Sequence, residues 1–122
     1  HRVPLSKRAL AILKLVQPFS SETHVFPGGK KDKPLSNMAM SMLLRRMGYD
    51  AITVHGFRST FRNWAGEQTN YPFEVCEQAL AHRLPDAVAA AYLRSDFFER
   101  RASLLADWST YCKSKCQTSA AA

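Results

Sequence analysis

Apolar residues in this chain recur mostly three and four positions apart, the spacing of one face of a helix. The first such run is Ala9, Leu10, Ile12, Leu13 and Val16, with Ser6 ahead of it as a candidate N-cap and Pro18 stopping it, and it predicts a core helix. Before it, His1-Arg2-Val3-Pro4-Leu5 places apolar residues at alternate positions and reads as the end of a strand, a small β remnant at the N-terminus. Ser20 to Lys33 is polar and carries Gly28-Gly29, which predicts a loop around a short extended His24-Val25-Phe26 piece. Ser36 is a second N-cap candidate, for a helix from about Asn37 to Met47 that Gly48 closes as the residue just past its end. All four methionines, Met38, Met40, Met42 and Met47, fall here, and the expectation for them is gap filling in a core.

After the short β-branched lead-in Ala51-Ile52-Thr53-Val54 comes the helix that begins near His55. At 100° per residue His55, Arg58 and Arg62 share one face, while Phe57, Phe61 and Trp64 lie well round from them as the anchoring side. Asn70-Tyr71-Pro72 interrupts the pattern, and Phe73, Val75, Cys76, Ala79 and Leu80 form a short apolar helix that ends just before His82. Pro85 and Asp86 suit the first turn of a further helix through Tyr92. The last pattern is a stripe of Phe97, Phe98, Arg101, Leu104, Leu105, Trp108, Tyr111 and Cys112, after which residues 117–122 read as a frayed tail. With no internal repeat, the whole predicts a mainly α fold and a single domain over residues 1–122.

Charge narrows the partner. There are 17 Lys and Arg against 10 Asp and Glu, a formal net charge of +7, and that excess favours an anionic partner, most commonly nucleic acid. No apolar run is long enough to span a bilayer and no signal-peptide or lipidation pattern occurs, so no membrane partner is expected and the cytoplasm is the expected compartment. Three cysteines, Cys76, Cys112 and Cys116, read as reduced thiols, and no second ligand pair beside Cys112 and Cys116 suggests a metal site.

Taken one at a time, the chemistry-bearing residues are unremarkable: a helical arginine is usually solvated and a lone histidine is usually a satisfied polar residue. Their order is more specific. His55-Gly56-Phe57-Arg58 is followed by Leu80-Ala81-His82, and Tyr92 comes ten residues after that histidine. This ordered set resembles the catalytic domain of the tyrosine recombinases, the phage integrase family, and within it the integrases of the P4 phage and genomic-island type. The resemblance runs from His1-Arg2-Val3-Pro4-Leu5-Ser6 to Trp108 and Tyr111.

That resemblance implies a mainly α-helical C-terminal portion of a catalytic domain that cuts and rejoins DNA through a 3′-phosphotyrosyl intermediate, without metal, ATP or other cofactor. It implies double-stranded DNA attachment sites and other integrase protomers as partners, and a bacterial or phage-encoded protein associated with the nucleoid. Exchange of the C-terminal helix between protomers is one use the final stripe would suit. Arg58 matches the family's second arginine, whose planar fork can hold two oxygens of the scissile phosphate. His55 matches the histidine three residues earlier, His82 the position that donates to a non-bridging oxygen, and Tyr92 the nucleophile. Tyr49, Tyr71 and Tyr111 compete for that last role, but the first two precede His82 and the third lies on the apolar stripe. Arg62, Lys30 and Lys31 are further candidates for phosphate contact.

Two departures from the family accompany the match. Its first catalytic arginine and its β-hairpin lysine have no counterpart here, so the expectation is a C-terminal piece of a longer integrase that cuts DNA poorly by itself. Ala81 stands where the family usually has glycine, at a cost of about 1 kcal/mol if the backbone there needs a positive φ. The competing readings are a non-catalytic DNA-binding module, in which Arg58, Arg62 and the loop lysines hold phosphates and Tyr92 is structural, and a type IB topoisomerase-like relaxing enzyme.

Overall fold

The computed structural model describes residues 1–82 and 96–119, with side chains as far as residue 114. These residues form helices α1 (Lys7–Val16), α2 (Ala39–Arg46), α3 (Val54–Gln68), α4 (Phe73–Ala79) and α5 (Phe98–Ser119), with a short 3-10 turn at Gln17–Phe19. The mainly α expectation holds. No strand occurs among the described residues, and the sole β pairing among them is an isolated antiparallel bridge between Pro27 and Pro34. The strand remnant expected at residues 1–5 is therefore absent. Pro4 has no N–H to give to a ladder, and the Arg2 carbonyl instead accepts a bond from the Arg101 side chain at 2.7 Å.

The chain divides into two compact units, His1–Lys7 with Arg58–Ala122, and Arg8–Phe57. The first unit holds the core: Phe61, Trp64 and Ala65 from α3, Val75 and Cys76 from α4, Leu80 just past it, and Leu104 from α5. Each helix buries one face, as the 3.6-residue period dictates, and α4 lies against α5. An aromatic cluster extends that core. Trp108 meets Phe61 edge-on with ring centroids 5.5 Å apart, and Tyr111 stacks on Trp108 at 5.5 Å with the rings 21° from parallel. Arg101 sits among these apolar residues at 1% exposure. Its Nε donates to the Asp96 carbonyl and its Nη1 to the Arg2 carbonyl, both at 2.7 Å, and its Nη2 lies 3.4 Å from the Asp96 carboxylate.

The second unit contains α1, the 3-10 turn and α2, and none of its residues is buried. Two expectations change accordingly. The α1 stripe is not a core face, since Leu10 and Ile12 are exposed and Ala9, Leu13 and Val16 are only half-buried, and none of the four methionines fills a core. The spacing gave the helices correctly, but amphipathic spacing marks a face that can be covered and does not say whether it is. Helix α2 begins two residues later than expected, after a turn in which Ala39 N–H bonds to the Ser36 carbonyl. Its end is as expected: Gly48 has φ +81°, and Gly48 and Tyr49 return N–H bonds to the carbonyls of Arg45 and Leu44.

Candidate functional site

The site is built at the C-terminal end of α4. The helix starts after Pro72 and is capped by Leu80, beyond which Ala81 takes the left-handed conformation at φ 55°. Ala81 N–H then bonds to the Gln78 carbonyl at 3.1 Å and His82 N–H to the Glu77 carbonyl at 3.0 Å, the paired bonds of a left-handed helix stop. Glycine normally occupies such a position because an L side chain is strained there, so alanine here costs about 1 kcal/mol. The turn has a chemical consequence: it swings His82 back over the last turn of α4, beside Glu77.

The side chains meet as the backbones do. His82 Nδ1 lies 2.7 Å from Glu77 Oε2, while Glu77 Oε1 accepts from Arg62 Nε at 2.5 Å. Glu77 is largely buried, with 13% of its side chain exposed, whereas His82 keeps 41% exposed. Burial pushes the Glu77 carboxyl upward, but the hydrogen bonds from His82 and Arg62 outweigh it and hold the carboxyl below its ordinary value. Glu77 is therefore an ionised acceptor at neutral pH, so the proton on the shared bond belongs to His82 Nδ1. That leaves Nε2 as the ring's other polar atom.

Arg58 is held by the same helix end. Its Nη2 donates to the Leu80 carbonyl at 2.6 Å, one of the acceptors that a helix leaves unpaired at its C-terminus. Arg62, one turn further along α3, lies over the Phe73 ring at 5.0 Å besides its bond to Glu77. Gly66 makes room for it: a Cβ there would come within 2.9 Å of Arg62 Nη1. So α3 presents two arginines to one end of α4, and α4 returns a carbonyl to one and a carboxylate to the other. Arg58 and His82, 24 positions apart in sequence, are tied to a single turn of backbone, and Arg62 acts as a strut for Glu77.

The other residues named from sequence fall elsewhere. His55 is exposed in the first turn of α3 and belongs to the second unit. Phe57, expected on the anchoring face, is 57% exposed, and the anchor is Phe61, Trp64 and Ala65 instead. Lys30 and Lys31 are exposed in the second unit on the turn that the Pro27–Pro34 bridge closes, and Lys30 borders an open pocket of about 330 Å³ with Gly28, Gly29, Lys33 and Pro34. Tyr92 and the helix expected through it lie outside the described residues.

Two of the competing tyrosines have structural partners. The Tyr71 hydroxyl donates to Asp107 at 2.7 Å, and burial, then that hydrogen bond and the Asp107 charge, push its pKa up to about 12. Tyr111 belongs to the aromatic cluster. Among the described residues no three His, Cys, Asp or Glu side chains converge in a way that could hold a metal ion. No helix of the described residues is long and apolar enough to cross a membrane. Sequence reasoning missed Glu77, whose one signal is its place five residues before His82 across a helix stop.

Comparison with known proteins adds relatives. The chain is 36% identical over 116 residues to the prophage integrase IntA of Escherichia coli (strain K12), covering 93% of this chain and 28% of that protein. It is 35% identical over 112 residues to the prophage integrase IntZ of the same strain, covering 88% of this chain and 27% of that protein. It is 32% identical over 117 residues to the integrase of Enterobacteria phage P4, covering 91% of this chain and 27% of that protein. The chain thus spans little more than a quarter of the length of these relatives. No family profile and no solved structure matches it.

Proposed function

We propose that this chain, which belongs by sequence to the P4-type integrases over about nine-tenths of its length, is part of the catalytic machinery of a site-specific DNA recombinase. The observation that carries the reading is the joint anchoring of Arg58 and His82 on the end of α4, a cation and an imidazole held together on a chain with a net charge of +7. In the proposed reaction the Tyr92 phenol oxygen attacks the scissile phosphorus and loses its proton. The bond from phosphorus to the 5′ oxygen breaks, and that oxygen leaves as a hydroxyl after taking up a proton. The 3′ end stays on the enzyme as a phosphotyrosine, and a 5′-hydroxyl of another strand reverses the steps to rejoin the DNA.

Each residue then has a task. Arg58 offers a planar fork of donors to two oxygens whose negative charge grows in the pentacoordinate transition state, where preorganised donors are most effective. His82 donates to a non-bridging oxygen, and His55, three residues before Arg58 in sequence, assists the proton transfer from Tyr92. Arg62 and the turn lysines Lys30 and Lys31 add to backbone phosphate contact, and double-stranded DNA is the partner. No step requires a metal or cofactor. Other integrase protomers on DNA are further partners in this reading, and the final stripe, whose Leu104 is buried in the core of a single chain, is the segment they would exchange, filling the same place in the neighbouring protomer.

Replacing Tyr92 with Phe in the protein expressed from its complete reading frame separates the recombinase from a plain DNA-binding module. The recombinase loses its covalent DNA adduct and keeps its DNA affinity. Loss of neither property, with no adduct from the parent protein, refutes the reading. Since the family's first arginine and hairpin lysine have no counterpart in these 122 residues, this segment alone is expected to bind DNA and accumulate little adduct on a nicked suicide duplex.

A further inference from the structure

We infer that Glu77 is a positioning residue of the proposed recombinase site, one that fixes the orientation and tautomer of His82 so that the ring presents Nε2 to the scissile phosphate. The inference rests on the recombinase reading for its purpose and on the geometry of α4 for its content. Three independent contacts converge on it. The backbone of His82 bonds to the Glu77 carbonyl at 3.0 Å, its ring bonds to Glu77 Oε2 at 2.7 Å, and the second carboxylate oxygen is tied to Arg62 Nε at 2.5 Å. Arg62 is itself braced against Phe73. A carboxylate clamped at both oxygens cannot rotate, so it dictates the plane and direction of the imidazole it holds.

The chemistry follows from what each group can do. An ionised carboxylate only accepts, which places a proton on His82 Nδ1. In the imidazolium form both ring nitrogens donate, one to Glu77 and one toward a phosphate oxygen; in the neutral form Nε2 can take a proton back. A carboxylate behind a histidine is a common means of fixing which ring nitrogen faces the reacting group. Glu77 touches neither phosphate nor nucleophile in this arrangement and acts only through His82.

Glu77→Gln tests this because a carboxamide has one acceptor oxygen where the carboxylate has two. If that oxygen stays with the charged Arg62, the amide NH₂ faces His82 Nδ1, and the ring must shift its proton to Nε2. In ¹⁵N-histidine-labelled protein the parent is expected to show His82 protonated at Nδ1 and E77Q to show it at Nε2; an unchanged tautomer overturns the inference. The kinetic arm uses the protein from its complete reading frame and a nicked duplex carrying the DNA sequence recovered from its covalent adducts. E77Q is expected to slow adduct formation about tenfold or more, because the carboxylate that fixes the ring and balances its imidazolium form, the form in which Nε2 donates while Nδ1 stays bonded to Glu77, is gone. In a His82→Ala background the same change is expected to add less than about twofold, because residues that act as one unit are not additive. Equal effects in both backgrounds overturn the inference alone. A parent protein that forms no adduct overturns the recombinase reading and this inference with it. If E77Q does not fold, Glu77→Asp, which keeps the charge and shortens its reach, enters the same cycle.

Discussion

Arg101 offers a sharp test of the fold, because two substitutions that look ranked by similarity are expected to rank the other way. Its guanidinium is 1% exposed and donates to two main-chain carbonyls, with Asp96 as its ion-pair partner at 3.4 Å. Nη2 has no hydrogen-bond partner. Arg101→Met keeps an unbranched stem as far as the position of Nε and removes the buried charge. Two charge-assisted bonds worth about 1.5–3 kcal/mol each are lost. The desolvation penalty of the cation, several kcal/mol by itself, disappears at the same time. Asp96 suffers little, since 46% of its side chain is exposed and it keeps Arg2 at 2.7 Å. The net cost is therefore modest, about 1–2 kcal/mol.

Arg101→Lys keeps the charge but replaces a planar fork with a point, which cannot reach the Asp96 carbonyl and the Arg2 carbonyl together. A buried cation left short of partners costs about 3 kcal/mol or more. Trp64 and Trp108 both lie in the aromatic cluster of the unit that holds Arg101, so urea unfolding followed by tryptophan fluorescence reports the right transition. A difference of about 2 kcal/mol moves the midpoint by about 1 M urea. The expected order of stability is parent, then Met, then Lys. A Lys variant as stable as the parent, or more stable than Met, refutes the reasoning.

Other expectations are simpler. Leu104→Ala, at a fully buried position of the core, should cost about 3 kcal/mol through lost burial and the cavity left behind, read in the same titration. Ala81→Gly should stabilise the first unit by up to about 1 kcal/mol, since glycine carries no penalty at φ 55°; a lower midpoint would show that the left-handed turn is not formed. Tyr71 should titrate about two pH units above an ordinary phenol in an absorbance titration at alkaline pH, a phase that Tyr71→Phe removes. Its folded pKa lies above its unfolded value of 10.0, so the stability it contributes is complete below pH 10 and is lost as the pH rises toward about 12.

Local structure was well written in the residues. Pro72 starts α4, Gly48 ends α2, and the apolar spacing of Phe61 and Trp64 marks the buried side of α3, although Phe57, expected with them, is exposed. The resemblance to tyrosine recombinases marked Ala81 as the residue that would pay for a left-handed turn, and the backbone there has a positive φ. What periodicity could not supply was which faces are covered. The α1 and α2 stripes have the same spacing as α3, yet only α3 and its partners bury theirs, because burial depends on what another element brings to that face. The candidate site was legible in part: the resemblance singled out Arg58 and His82, but not that the end of α4 holds both. Glu77 was missed because a glutamate inside an apolar helix has no distinguishing pattern until the helix stop folds His82 over it.

The central claim is that Tyr92 becomes covalently joined to DNA. Protein expressed from its complete reading frame is recovered from cells as detergent-resistant complexes with DNA, digested with nuclease and protease, and mapped by mass spectrometry for the nucleotide-modified peptide. The account predicts a nucleotide 3′-phosphate on the peptide containing Tyr92, absent from Tyr92→Phe and strongly reduced in Arg58→Ala. A modified peptide that contains Tyr49, Tyr71 or Tyr111 instead, or no nucleotide adduct from the parent protein, contradicts it.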